Sequence, residues 1–149
     1  MMLCGEAGIG KTRLVDDLLQ WAARQGIASA NARCYAAEGE LAYAPVTAWL
    51  RAHRSVKLED IWLVEVTRLL PEALAERPDL PRPLAMTEAW QRQRLFEALS
   101  HAILEKNQPL LLTIDDLQWC DRDTLEWLHF LLRFDPNARL LVVGTYRPE

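Results

Sequence analysis

The sequence predicts an α/β domain built on a parallel sheet. Three observations carry that expectation. A glycine-rich stretch, "GEAGIGKT" at 5–12, runs straight into an amphipathic helix. Two continuous apolar runs, "PLLLTID" at 109–115 and "RLLVVGTYR" at 139–147, look like strands buried on both faces. Helical and extended segments alternate along the chain, which favours strand–helix–strand units.

The elements follow in order. Residues 12–24 place Leu14, Val15, Leu18, Leu19, Ala22 and Ala23 on one side of a helix. Arg13, Asp16, Asp17, Gln20 and Arg24 take the other side, and Gly26 ends it. "IASANARCY" (27–35) reads as a strand and 36–45 as a loop. Pro45 opens a short helix to about His53, because proline is tolerated in a first helical turn. Residues 59–70 put Ile61, Trp62, Val66, Leu69 and Leu70 at helical spacing. The four prolines of 71–83 suggest a mobile connector. Thr87 is the expected cap of a helix reaching Lys106, with Leu95, Phe96, Leu99 and Ile103 inward. A last helix, 121–134, is expected to bury Leu125, Leu128, Leu131 and Leu132, and 135–137 turns into the final strand.

Composition narrows the function. The 149 residues suit one domain able to bury a core. Half are hydrophobic and 26% are charged, as in a soluble globular protein. The 17 basic and 21 acidic residues give a net charge of −4, with no general pull toward nucleic acid or anionic lipid. No apolar stretch approaches the roughly 18 residues a membrane span needs, and the amino terminus has no secretory pattern. A cytoplasmic location is expected. Cys4, Cys34 and Cys120 have no metal-ligand spacing and are expected to be reduced and mostly buried. Most of the six Trp residues are expected in the core or between helices.

The loop at 5–12 fits G-x-x-x-x-G-K-[ST] through Gly5, Gly10, Lys11 and Thr12. A triphosphate needs many donors at short range. Backbone N–H groups from about Ala7 to Thr12 supply them as a nest at a helix N-terminus. Gly8 and Gly10 permit torsions that a Cβ would oppose. Lys11 reaches the β- and γ-phosphates, and the Thr12 hydroxyl ligates Mg²⁺. A chance match in a chain this long is roughly a few per thousand. The expected nucleotide contacts are Gly5, Ala7, Gly8, Ile9, Gly10, Lys11, Thr12 and Arg13.

"LLLTIDD" (110–116) delivers Asp115 at the carboxyl end of a buried strand, where a second metal-side carboxylate is needed. Asp116 is placed to polarise an attacking water, one methylene shorter than Glu, so slow turnover is expected. In "VVGTYR" (142–147), Thr145 and Arg147 are both candidates to sense the γ-phosphate. Arg147 is the better charge match. Arg92 and Arg94 share a helix and read as solvated.

"GEAGIGKTRL", "LFEAL", "LLLTIDDLQWCDRDTLEWLHFLL" and "LLVVGTYRPE" together resemble the AAA-type ATPase domain of STAND regulators, in particular the large ATP-binding LuxR-type transcription regulators. The resemblance covers nearly the whole chain. It implies a three-layer α/β/α P-loop NTPase fold with strand order 5-1-4-3-2. It implies ATP and Mg²⁺ used as a switch, with slow hydrolysis. Lys11 and Thr12 match Walker A, Asp115 and Asp116 match Walker B, and Arg147 matches a sensor position. Residues 1–149 are then expected to be a partial domain. On that reading the first strand is expected to be shortened to "MMLC", and the fifth strand, lid and effector domains to be absent from this segment. ATP or ADP, further domains and copies of itself are the expected partners. Direct nucleic-acid binding by this segment is not expected. Weak ATPase activity is expected of the intact regulator and next to none of this segment. The alternative is a remnant without nucleotide binding that acts as a protein-interaction module.

Overall fold

The computed structural model describes residues 1–38, 41–54 and 57–148. Four strands form one parallel sheet: β1 (Met2–Cys4), β2 (Ala28–Arg33), β3 (Leu110–Asp115) and β4 (Leu140–Tyr146). Their spatial order is β1-β4-β3-β2, the 1-4-3-2 part of the expected arrangement. Six α-helices surround them among the described residues: α1 (Lys11–Arg24), α2 (Ala44–Ala52), α3 (Asp60–Val66), α4 (Glu72–Glu76), α5 (Ala89–Ile103) and α6 (Arg122–Phe134).

All six residues of β3 are buried, which explains its unbroken apolar run. Its neighbours are β2 and β4, in register through Ala30, Leu112 and Val142. Helices lie on both faces, so the layers are α/β/α. On one face Val15 and Ala22 of α1 pack against Leu111 and Val143. The other face carries the larger core, where Trp49, Leu99, Ile103 and Trp127 join Ala30, Ala32, Leu112 and Ile114. The indole N–H of the fully buried Trp49 donates to Thr113 O at 2.9 Å. That bond satisfies a polar atom which burial would otherwise penalise.

Several boundaries differ from the sequence expectation, each for a local reason. Helix α5 is capped by Glu88, not Thr87. Gln91 Oε1 accepts from the backbone N–H of Thr87 and Glu88, completing a reciprocal cap. It ends at Ile103 rather than Lys106. The helix expected over 59–70 stops at Val66 and continues as turns. The proline-rich 71–83 contains α4 and is fastened. Ala73 and Leu80 are buried, and Arg77 pairs with Asp60 and Asp79 at 3.1 and 2.7 Å. The loop expected over 36–45 holds a 3-10 turn (Ala36–Glu38), and α2 begins inside it at Ala44; residues 39–40 lie outside the described residues.

The inward faces were also read too widely. Leu14 and Ala23 of α1 are exposed, as are Leu125 and Leu132 of α6. The buried stripe of α6 is Thr124, Trp127, Leu128 and Leu131. Trp21, Trp90 and Trp119 are about half exposed or more, so only half of the tryptophans meet the expectation of packing. Cys4 is exposed, Cys120 is half-buried and Cys34 is buried. Arg92 is not simply solvated: it bridges α5 to α6 through Asp123 (2.7 Å) and Glu126 (2.6 Å). Arg94 faces Glu65 at 3.6 Å.

Replacing Trp49 by alanine removes a core side chain and leaves the Thr113 carbonyl without its donor. The expected loss is about 3–5 kcal/mol, read from urea unfolding. A loss below about 1 kcal/mol would show that this indole does not anchor the sheet.

Candidate functional site

The glycine-rich loop joins β1 to α1 at the carboxyl end of the sheet. Gly8 and Gly10 have φ of +81° and +98°, and a Cβ on either would meet nothing within 4 Å. Their requirement is therefore torsional rather than steric. Gly10 precedes α1 without a side-chain cap. The first-turn N–H groups of Lys11, Thr12 and Arg13 have no intrahelical acceptor, as in any helix. Ile9 and Arg13 are exposed at its rim. The Lys11 ammonium folds back over the loop and donates to Gly5 O at 2.5 Å and Glu6 O at 2.7 Å.

Thr12 opens toward β3. Its hydroxyl donates to Asp115 Oδ2 at 3.0 Å, joining residues 103 positions apart. The other oxygen of Asp115 accepts from the Thr145 hydroxyl of β4. That hydroxyl in turn accepts from the Asp116 N–H at 2.9 Å. Asp115 and Asp116 are each 7% exposed. Among the described residues, Asp115 has no ion-pair partner, and its hydrogen-bonding side chains are two neutral hydroxyls.

Asp116 is different. It adopts a left-handed φ of +58°, which turns the chain out of β3 into a 3-10 turn over Leu117–Trp119. Its carboxylate lies between two guanidinium groups. Arg33 Nη2, from the end of β2, is 3.1 Å from Oδ2, and Arg147 Nε, just past β4, is 3.1 Å from Oδ1. Gln118 Nε2 donates to Oδ1 at 3.2 Å. The hydrogen bond to Asp116, with its charge, holds the Arg33 guanidinium still more firmly protonated than usual. The Arg33 side chain remains 49% exposed and lies over the Tyr35 ring.

The sequence-derived residues thus gather at one end of the sheet. Gly5, Ala7, Gly8, Ile9, Gly10, Lys11, Thr12 and Arg13 make the loop and first helical turn. Asp115 faces Thr12, and Arg147 meets Asp116. Arg33 was missed. The only available signal was a cation ending the alternation of "ASANAR", which reads equally as an exposed strand residue. A cavity of about 790 Å³ lies elsewhere, between α5 and α6, and shares none of these residues.

A family model described as an AAA ATPase domain matches residues 1–143. The chain belongs to that family. No curated protein matches it. As an AAA ATPase domain with a four-stranded parallel sheet, it has a P-loop NTPase-like fold, and membership points to nucleotide binding. Among the described residues no helix of this AAA domain is long and apolar enough to cross a membrane, and no group of three His, Cys, Asp or Glu side chains is placed to hold a metal.

Replacing Thr145 by valine keeps its shape and removes the hydroxyl shared by Asp115 and Asp116. Two buried polar groups lose a partner, so a loss of about 1–3 kcal/mol is expected. Chemical unfolding measures it, and an unchanged midpoint would mean that neither group depends on that bond.

Proposed function

We propose that this domain is the ATP-binding switch core of a multidomain signal-transduction or transcription regulator of the STAND type. It binds Mg²⁺-ATP and hydrolyses it slowly. The observation that carries the reading is the approach of the Thr12 hydroxyl to the Asp115 carboxylate at 3.0 Å, beside a glycine loop holding a lysine.

The donor set fits the ligand. Thr12 and Asp115 offer oxygen only, which suits Mg²⁺, a cation that keeps several waters and needs few protein ligands. Asp115 is buried and has no ion-pair partner among the described residues, so its negative charge favours a divalent ion there. The unpaired N–H groups of the α1 first turn, with Lys11, present positive charge to an anion. When bound, Mg²⁺ would neutralise charge on the phosphates. Lys11 exchanges its carbonyl contacts with Gly5 and Glu6 for phosphate oxygens. Gly5, Ala7, Gly8, Ile9, Gly10 and Arg13 form the rest of the cradle.

Asp116 and Arg147 take the catalytic roles. Asp116 orients water and accepts its proton, while Arg147 meets the phosphate end. In the structure each occupies the other. Both carboxylate oxygens of Asp116 are engaged by guanidinium groups, so a water must displace one of them before Asp116 can orient it. That supports a switch with slow turnover over a fast enzyme.

Calorimetry with Mg²⁺-ATP on wild type and Lys11→Ala tests the proposal. Binding is expected in the wild type and a loss of tenfold or more in the variant. Absence of binding in both sinks it in favour of a protein-interaction module. Turnover is expected below about 1 s⁻¹. Faster hydrolysis that disappears in Asp116→Asn would instead make this an enzyme in its own right.

Self-association belongs to the same proposal. Among the described residues β1 is paired on its β4 side alone, with Met1 and Met2 63% and 56% exposed. Unpaired edges template further pairing. Sedimentation should show the weight-average mass rising with concentration, whereas a monomer throughout would remove this part.

A further inference from the structure

Two cysteines converge on the segment that carries Asp116. Cys34 directly follows β2, and its N–H donates to Asp115 O at 2.9 Å, so the chain still runs beside β3 there. Its side chain continues the inward row of Ala30 and Ala32 into the larger core. Beyond Asp116, the 3-10 turn brings the chain back, and Cys120 packs against that same core. A small cavity is lined by Arg33, Cys34 and Tyr35 on one side and by Trp119 and Asp121, the two neighbours of Cys120, on another. Both side chains thus enter one core beside this cavity. The Cys120 thiol is pushed well above its ordinary range, first by its hydrogen bond with Cys34 and then by burial.

The position matters for what lies between and beside them. Arg33, which holds Asp116, precedes Cys34. Asp121, which follows Cys120, caps α6 through the Thr124 N–H at 2.8 Å and accepts the Tyr43 N–H ahead of α2 at 3.1 Å. A bond between the thiols would tie the end of β2 to the start of α6, across the turn made by Asp116–Trp119.

We propose that Cys34 and Cys120 are a redox pair whose disulfide latches the turn carrying Asp116. The oxidant is a peroxide. It converts one thiol of the pair into a sulfenic acid, with the S–H and O–O bonds broken, one S–O bond formed and water released. The second thiol attacks that sulfur. The S–S bond forms, the S–O bond breaks and a second water leaves with the remaining proton. Two thiols lose two electrons to one peroxide. The inference does not depend on whether the site binds nucleotide.

The test uses the 149-residue chain with the exposed Cys4 changed to serine, treated with hydrogen peroxide. The expected product has lost about 2 Da, yields a Cys34–Cys120 cross-linked peptide and returns to the starting mass with dithiothreitol. Its Tm rises by about 5–10 °C, and amide exchange over 116–121 slows about tenfold. Either Cys34→Ala or Cys120→Ser abolishes all four changes, so one variant suffices if the other fails to fold. Thiols that both stay alkylatable, or that gain oxygen without cross-linking, overturn the pair. A disulfide that leaves exchange over 116–121 unchanged overturns the latch.

Discussion

The structure turns on one buried carboxylate. Asp115 ends β3, the one strand among the described residues that is buried along its whole length, and it carries charge into a place that water barely reaches. A buried charge must be paired or hydrogen-bonded, or its burial is costly. Its two oxygens are met by Thr12 from the first turn of α1 and Thr145 from β4. Those contacts fix where the glycine loop sits relative to the sheet. They also explain why a polar residue stands in the otherwise apolar β4, and why Asp116, through its N–H on the same hydroxyl, is held in register with it.

Much of this could be read from the residues. The β3 run is apolar enough to be a fully buried strand, and the spacing of Gly5, Gly10, Lys11 and Thr12 places a loop before a helix. The strand order followed from the family resemblance, and the sheet agrees with it where its four strands allow. What was not legible is tertiary. Leu125 and Leu132 look like core residues of α6, yet the helix buries Trp127 and Thr124 because Trp127 packs on Trp49 of α2 and donates to Phe96 O of α5. Thr87 looks like a better cap than Glu88, but Gln91 reaches back to both N–H groups and fixes the cap one residue later. Periodicity gives a helix two candidate faces, and only the neighbouring layer chooses between them.

The same limit applies at the site. Residues of the glycine loop lie close together in sequence, form a motif and can be recognised alone. Arg33 cannot, because its role comes from register. β2 pairs with β3 so that Arg33 stands opposite Asp115, one residue from Asp116. Nothing in "NARCY" states that register. The sheet order β4-β3-β2 puts Asp116 between the ends of two strands that each supply an arginine.

That arrangement makes the carboxyl end of the sheet a shared electrostatic unit rather than a row of separate side chains. Among the described residues, Asp115 has no ion-pair partner and Asp116 has two. An incoming phosphate with its metal ion would add positive charge beside the first carboxylate and negative charge beside the arginines of the second. Both changes act on the contacts that join β2, β3 and β4. The left-handed turn at Asp116 leads directly to Asp121, which caps α6 and holds the chain ahead of α2. A change of charge at the loop therefore has a short covalent and hydrogen-bonded route to two helices on the opposite face of the sheet. This is the geometry expected where ligand occupancy is converted into position.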